Sequence, residues 1–260
     1  MEKLPEQDMN GDFNPLQSEL LFARPRRLHI KSAWNEHVPF ALLLVELQRP
    51  RVVVELGAHW GISYCAWCQA VAALGTGTRC YAVDTWAGDA HAGSYGDEVF
   101  ENLREHHRQY ESFSRLLRMT FADALGEIPD GAVDLLHIDG LHSYDGVKND
   151  YESWRPKMSA RGIVLFHDTV VQERGFGVHQ LWAELSAQFP HFNFEHGHGL
   201  GILAVGSEQP DAVRSFLLTA NHRPQAIRGL FSALGSQLQR EVERTARASF
   251  GARVRGWLGL

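Results

Sequence analysis

The chain has 260 residues, of which 44% are hydrophobic and 22% are charged, as is ordinary for a soluble globular protein. This length accommodates one sizeable α/β domain with extensions and a substantial core. A net charge of −6 argues against a nucleic-acid-binding surface over the body of the protein. The charge is uneven, because residues 222–260 carry +5 and the remainder carries −11.

The cysteines indicate a reducing compartment. Cys65, Cys68 and Cys80 are too few for a disulfide framework, and no secretory leader is recognisable, so we predict a cytoplasmic protein. Cys65 and Cys68 form a C-x-x-C pair, which can serve redox chemistry or half a zinc site. Both lie in an apolar helical segment, which favours the alternative of buried small side chains.

Strand and helix patterns alternate along most of the chain. Residues 1–40 are polar and contain three prolines, which predicts a flexible start and a cap around 32–37. Alternation from residue 41 to 208 predicts βαβ units and a parallel, doubly wound sheet. Strands are predicted at 51–56, 79–84, 114–119, 133–138 and 161–166, helices at 62–74, 97–110, 121–128, 143–156 and 177–188, and a closing hairpin at 192–196 and 200–205.

The turn after the first strand has the pattern E-x-G-x-x-x-G-x-S, formed by Glu55, Gly57, Gly61 and Ser63. Gly57 allows a positive φ and a close approach to a ligand, Gly61 allows tight helix packing, and Ser63 can cap the helix. A dinucleotide site needs G-x-G-x-x-G to seat a pyrophosphate, which makes this spacing a poor match. The pattern resembles motif I of the class I methyltransferases, whose cofactor S-adenosylmethionine has no phosphate. The resemblance implies that Glu55, Gly57, Gly61 and Ser63 bind this cofactor.

The predicted closing hairpin supports the same fold. An antiparallel hairpin on a parallel sheet is found in class I methyltransferases and is usually lacking in dinucleotide folds. We therefore predict a Rossmann-like α/β fold with a mostly parallel seven-stranded sheet and helices on both faces. A dinucleotide oxidoreductase is the less favoured alternative.

Several residues after the second and third strands suit adenosine recognition. Asp84 ends the second strand, where a carboxylate can accept hydrogen bonds from ribose hydroxyls. Thr85 and Trp86 follow it beside the expected cofactor. Asp123 follows the third strand and either contacts adenine or serves as a helix N-cap, and the sequence leaves both roles open.

Acidic and imidazole side chains follow the fourth and fifth strands. Asp139 and His142 come after one, and His167 and Asp168 end the other, so neighbouring strands would bring all four to one crevice. An aliphatic alcohol is a poor nucleophile, and its methylation needs a base, a metal ion or both. His142 suits the base, and Asp139 and Asp168 suit a divalent ion. The alternative is that His142 caps a helix and Asp168 begins a loop.

Four blocks in order resemble one family over about residues 30–206. They are the glycine turn, V-D-T-W-x-G-D-x-H-x-G from Val83, I-D-G-x-H-S-Y-x-G-V from Ile138 and F-H-D from Phe166. Together they resemble small bacterial methyltransferases that are often encoded with, or fused to, glycosyltransferases. The blocks are similar to metal-dependent sugar O-methyltransferases of macrolide pathways and, more distantly, to catechol O-methyltransferase.

The resemblance implies roles for individual residues. Asp139 matches a magnesium-binding Asp, His142 matches the proposed base, and Asp168 matches the last metal ligand. The family has Glu-Asp where this chain has His167-Asp168, so His167 either turns away, favours Mn²⁺ over Mg²⁺, or marks a branch without the ion. The expected function is methylation of a hydroxyl, with Asp139 and Asp168 orienting the acceptor directly or through the metal.

Aromatic and imidazole residues are candidates for binding a sugar acceptor in a glycan or glycosylated natural product. Rings stack on the apolar faces of sugars, whereas burial and structural hydrogen bonds are the alternatives. The acceptor candidates are Trp34, His37, His91, Tyr144 and His198.

Residues 209–260 are predicted to form a basic amphipathic helical tail. Its apolar residues recur at three- and four-residue steps from Ile227 to Leu258, which favours packing on the domain or on a second copy. A glycosyltransferase partner or a membrane surface is the alternative contact. Two other functions stay open, namely N-methylation of an amino sugar and a non-catalytic partner subunit.

Overall fold

A computed structural model describes residues 13–28, 30–89, 93–173 and 175–258. Its centre is a seven-stranded sheet in the order β3-β2-β1-β4-β5-β7-β6, in which β1 to β5 are parallel and β7 is antiparallel to both neighbours. The predicted fold class is thereby confirmed. The strands are β1 Val52–Leu56, β2 Arg79–Asp84, β3 Ser114–Arg118, β4 Val133–Ile138, β5 Met158–His167, β6 His191–Phe194 and β7 Leu200–Ala204.

Eight α-helices are described around this sheet. The predicted helix over 121–128 is a single α-turn followed by the 3₁₀ turn Leu125–Glu127. No helix in the described ranges combines the length and apolarity needed to cross a membrane. The helices are α1 Val38–Gln48, α2 Ile62–Leu74, α3 Asp97–His107, α4 Phe121–Ala124, α5 Tyr144–Trp154, α6 Val178–Ser186, α7 Asp211–His222 and α8 Pro224–Leu258.

The sheet is covered on both faces, which explains why its central strands are buried and mostly apolar. All six residues of β4 are buried, as expected for a parallel strand with helices above and below. One face carries α1 and α2, with Trp67 fully buried, and the other carries α5 and α6, with Trp154 fully buried. This arrangement leaves the carboxyl ends of the parallel strands free to form a site.

The cysteines lie inside the first of these layers. Cys65, Cys68 and Cys80 are all buried and unpaired. Burial raises the pKa of the Cys65 and Cys80 thiols well above the usual range. A thiol in this environment does not supply the thiolate that redox and zinc chemistry require, so the structure favours the packing role.

The C-terminal segment is not separate from the core. Ile227, Phe231 and Val242 on α8 are buried, and the Phe231 ring packs edge to face on Phe40 and Phe194 at centroid distances of 5.5 and 5.2 Å. This part of the predicted 209–260 tail therefore packs on the domain. The side chains of the later stripe, from Phe250 onward, lie outside the described residues.

We predict that Phe231→Ala destabilises the fold by about 3–5 kcal/mol, because it empties a fully buried aromatic site. Leu218→Ala on α7 is the control, since Leu218 is 38% exposed and its loss should change stability by only about 0.5 kcal/mol. Urea unfolding followed by circular dichroism measures both. Equal effects would show that α8 does not pack as described.

Candidate active site

A cavity of about 560 Å³ opens at the carboxyl ends of the parallel strands. Its volume lies in the range of sites for drug-sized ligands. Eleven of the predicted site residues line it, namely Trp34, Gly57, Gly61, Ser63, Asp84, Thr85, Asp139, His142, His167, Asp168 and His198.

The glycine turn forms one wall of the cavity, and its glycines are required by contacts within the protein. Gly57 has a φ of +90°, and a Cβ there would lie 2.1 Å from the backbone oxygen of Asp139. Gly61 has a φ of +71°, and a Cβ there would meet the side chain of Leu103 on α3 at 2.4 Å. The turn thus fits closely against the end of β4 and against α3.

Asp84 fixes the same turn through its carboxylate. Its Oδ2 accepts hydrogen bonds from the backbone amides of Ala58 and His59 at 3.0 and 2.9 Å, and its Oδ1 accepts one from Trp86 at 2.7 Å. Asp84 still lines the cavity, so any ribose contact uses the remaining lone pairs of oxygens that already hold the backbone.

Two carboxylates and two imidazoles meet in the part of the cavity wall at the ends of β4 and β5. His142 Nε2 lies 2.9 Å from Asp168 Oδ2 and 3.6 Å from Asp139 Oδ1. His167 Nδ1 lies 3.3 Å from each of the same two oxygens. The predicted convergence of the ends of β4 and β5 is therefore present.

Neighbouring groups hold this cluster in place. The His142 ring stacks on Phe176 with centroids 4.5 Å apart, and Trp34 Nε1 donates to Asp139 Oδ2 at 3.1 Å. The Gly197 carbonyl accepts from His167 Nε2, which directs the opposite ring nitrogen of His167 toward the carboxylates. His198 Nδ1 lies 3.2 Å from Asp168 Oδ1.

The electrostatics of the cluster favour four charged groups. Burial opposes protonation of His142, but hydrogen bonds to Asp139 and Asp168 raise its pKa to about 9. Against the same burial penalty, the two carboxylates raise the pKa of His167 well above the usual range. The imidazoles in turn hold the pKa of Asp139 and Asp168 below the usual range, although burial alone would raise both. The shifts of the imidazoles and the carboxylates therefore both favour the charged forms.

Two residues predicted to act at the glycine turn have internal roles. Glu55 is fully buried and does not line the cavity, because its carboxylate accepts from Ser63 Oγ and Trp67 Nε1 and faces His137 Nδ1. The predicted cofactor contact of Glu55 is therefore wrong. Ser63 reaches the cavity wall, yet its hydroxyl binds Glu55 and does not cap α2, whose N-cap is Gly61.

Other predicted contacts are also corrected. Trp86 is buried, with its indole donating to the His59 carbonyl, and His37 is fully buried, with Nε2 on the Gly197 carbonyl. Asp123 is exposed and is neither at the cavity nor the N-cap of α4, which is Thr120. The Tyr144 hydroxyl binds Glu184 away from the cavity. The predicted acceptor residue His91 lies outside the described residues.

Residues that the sequence did not single out complete the cavity. His59 and Tyr95 pack ring to ring at 4.9 Å on the cofactor side, and Phe121 lines the wall near the end of β3. Leu141 lines the cavity next to His142 and is 46% exposed. The sequence signal for Leu141 was a leucine placed next to His142 within a polar motif.

Comparison with known proteins agrees with the fold. Residues 54–169 match the family model described as a methyltransferase domain. An uncharacterized protein, y4gI of Sinorhizobium fredii (strain NBRC 101917 / NGR234), is 55% identical over 186 residues, which are 72% of this chain and 20% of that protein. The chain thus spans about a fifth of the length of this curated relative.

Two solved structures share the fold at low sequence identity. A Corynebacterium glutamicum protein superposes with a TM-score of 0.52 at 12% identity, over 70% of this chain and 85% of that one. The cofactor-bound Rv0187 from MTB gives a TM-score of 0.51 at 13% identity, over 70% and 84% of the two chains. The arrangement of strands is therefore shared well beyond recognisable sequence similarity.

We predict that the His142 ring titrates near pH 9 in a chelator-treated sample, against about 6.5 for a free histidine. Because the folded pKa is raised, the stability that the protonated ring contributes is complete below about pH 6.5 and is lost as the pH rises through 9. Asp168→Asn should move the titration toward 6.5, whereas exposed His222→Ala should not. Histidine NMR titration measures this, and a wild-type His142 midpoint near 6.5 would contradict the described contacts.

Proposed function

We propose that this protein is an S-adenosylmethionine-dependent O-methyltransferase acting on a hydroxyl group. The observation that carries the proposal is the placement of His142 and the Asp139–Asp168 pair in the same cavity as the glycine turn. A methyl donor bound at the turn and an acceptor bound at the cluster would share one enclosed space. Such proximity is the main requirement of a displacement between two bound molecules.

The cofactor assignment is supported by the wall around the glycine turn. Gly57, Gly61, Asp84 and Thr85 line the cavity, and Phe121 offers an apolar ring beside them. The spacing of the glycines does not suit a pyrophosphate. The match to a methyltransferase domain also supports S-adenosylmethionine as the ligand.

His142 is proposed as the base that removes the proton of the acceptor hydroxyl. It must lose its own proton first, because the carboxylates hold its pKa at about 9 in the ligand-free cluster. In the reaction the hydroxyl oxygen would form a bond to the methyl carbon, the sulfur–carbon bond would break, and the hydroxyl proton would pass to His142 Nε2. S-adenosylhomocysteine and the methyl ether would be the products.

A divalent metal ion fits the donor set. Ligand atoms of Asp139, His142 and Asp168 lie within 4.8 Å of one another, and His167 Nδ1 faces the same carboxylates. Carboxylates mixed with imidazole suit Mn²⁺ better than Mg²⁺, which prefers oxygen ligands throughout. We propose that Asp139, Asp168 and His167 would hold the ion, which when bound would lower the pKa of the acceptor hydroxyl.

The acceptor is proposed to be a sugar of a glycan or of a glycosylated natural product. The acceptor side combines an exposed imidazole on His198 with the exposed apolar side chains of Leu141 and, next to the site in sequence, Val170. A sugar ring presents both hydroxyls and an apolar face to such a surface. An amino sugar is the second candidate, and a base is less necessary for its N-methylation.

The proposed partner contact is confined to the distal part of α8. The helix continues past Val242, the last buried residue described on it, and Arg244 and Arg247 are exposed. A glycosyltransferase, a membrane surface or a second copy of the chain are the proposed contacts. Truncation after residue 243 tests them, because removal of residues 222–260 would also delete Ile227 and Phe231 from the core.

We predict that isothermal titration calorimetry detects S-adenosylmethionine binding, and that Gly57→Ala weakens it by about tenfold or more. The added Cβ collides with the Asp139 backbone and displaces the cavity wall. Gly77→Ala is the matched control, since Gly77 also has a positive φ, of +71°, but faces open space. Absence of binding by the wild-type protein would refute the cofactor assignment.

We predict that His142→Ala lowers kcat by roughly 10²–10⁴-fold, the usual contribution of a general base, without loss of S-adenosylmethionine binding. His222→Ala serves as the control, and the wild-type rate should rise with pH toward 9 because only neutral His142 accepts the proton. Methyl transfer to glycan and glycoside acceptors is measured with EDTA, Mg²⁺ or Mn²⁺. Full activity of His142→Ala on an amino sugar would favour N-methylation instead.

A further inference from the structure

The C-terminal helix α8 packs directly against the 3₁₀ helix Ala33–Glu36, which reaches the cavity. The contact is made at a glycine, because a Cβ on Gly235 would lie 2.2 Å from the backbone oxygen of Glu36. Beside it, Asn35 is fully buried, and its Nδ2 donates to Gln239 Oε1 on α8 at 2.8 Å and to the Ile30 carbonyl at 2.9 Å. Close backbone approach and a buried hydrogen bond therefore fix this 3₁₀ helix to α8.

The same 3₁₀ helix presents Trp34 to the catalytic cluster. Trp34 is 3% exposed, and its Nε1 donates to Asp139 Oδ2 at 3.1 Å. Its ring stacks on His167 with centroids 5.8 Å apart and packs edge to face on His137 at 4.6 Å. One side chain thus touches the Asp139 carboxylate, the His167 ring and the core of the sheet.

The contact determines which oxygen of Asp139 is available. With Oδ2 held by Trp34, the oxygen that faces the two cluster imidazoles is Oδ1. Loss or displacement of the indole N–H would leave Oδ2 without this buried donor and allow the carboxylate to rotate. A misplacement of about 1 Å can lower an enzymatic rate by about 10².

Ion pairs extend the contact of α8 toward the cavity rim. Arg24 pairs with Glu241 at 2.5 Å, and Lys31, which lines the cavity, lies 3.5 Å from Glu243. Both pairs are partly exposed, so each contributes little alone. They connect α8 to the segment that leads into the 3₁₀ helix.

We infer that α8 is a positioning element of the active site, which acts through the 3₁₀ helix and Trp34 to orient Asp139 and His167. Trp34 is accordingly a positioning residue and not the sugar-stacking residue that its sequence context suggested. The effect on catalysis rests on the proposed methyltransferase function, whereas the coupling of α8 to Trp34 does not. The two parts are therefore tested by different measurements.

Two glycines of the same helix provide a matched pair for the test. Gly235→Ala inserts a methyl group against Glu36, whereas Gly229→Ala inserts one into open space and makes the same change in helix propensity. We expect Gly235→Ala to lower kcat by about tenfold or more, with the Kd for S-adenosylmethionine within about twofold of wild type, because only the acceptor side is displaced. Gly229→Ala should retain wild-type kcat, and equal kcat in the two variants would overturn the catalytic part.

A second pair avoids added bulk if Gly235→Ala fails to fold. Gln239→Ala removes the hydrogen bond to Asn35, whereas Gln237→Ala truncates an exposed side chain two residues away. A smaller fall in kcat is expected for Gln239→Ala and none for Gln237→Ala. Equal rates in this pair would also count against the inference.

Indole NMR tests the coupling without any methyl transfer. The chain has seven tryptophans, and the missing signal in Trp34→Phe assigns the Trp34 N–H. In Gly235→Ala this signal should shift and exchange faster with solvent, and in Gly229→Ala it should stay unchanged. A shifted signal in a protein that transfers no methyl group would refute the proposed function alone, and an unmoved signal would overturn the coupling.

Discussion

Asp139 is the residue on which the geometry of the site depends. Its backbone oxygen lies 2.1 Å from the position that a Cβ on Gly57 would take, and its carboxylate contacts Trp34, His142 and His167. The glycine turn after β1 and the cluster at the end of β4 are therefore in contact through Asp139. Gly57 acts on the backbone of Asp139, whereas Trp34, His142 and His167 act on its carboxylate.

The cluster of two carboxylates and two imidazoles is balanced in charge and largely removed from water. Buried carboxylates are tolerated when they are paired, and His142 and His167 supply the partners of Asp139 and Asp168. The same pairing keeps a proton on His142 at neutral pH, which opposes its use as a base. Stability of the cluster and the proposed role of His142 as a base thus make opposite demands on one imidazole. An acceptor or cation that binds Asp139 and Asp168 in place of His142 would remove this conflict.

Local sequence patterns predicted the sheet and the position of the cluster. Alternating strands and helices indicate where parallel strands end, and the ends of β4 and β5 carry Asp139 and His167 for that reason. They did not predict that Glu55 faces the core, since a side chain beside a glycine turn can point to either face of the sheet. Local patterns also do not predict contacts between residues far apart in the sequence, such as Asn35 and Gln239, which are 204 residues apart.

The carboxylates of Asp84 and Asp168, at the ends of β2 and β5, have a second role, which is to hold strained backbone in place. His59 and Trp86 have left-handed φ angles of 47° and 50°, and Asp84 accepts hydrogen bonds from the amides of both. Asp168 and His198 have φ angles of 61° and 68° and contact one another through their side chains.

Such conformations cost about 1–3 kcal/mol each and persist only where neighbouring contacts hold them. The hydrogen bonds of Asp84 therefore hold the strained backbone on the proposed cofactor side of the cavity. The contact between Asp168 and His198 holds the strained backbone on the proposed acceptor side. In the sequence, carboxylates at strand ends indicate ligand-binding groups. In the structure the same oxygens also hold the backbone that a ligand would contact. Replacing Asp84 by Asn would consequently disturb the turn even before any ribose contact is lost.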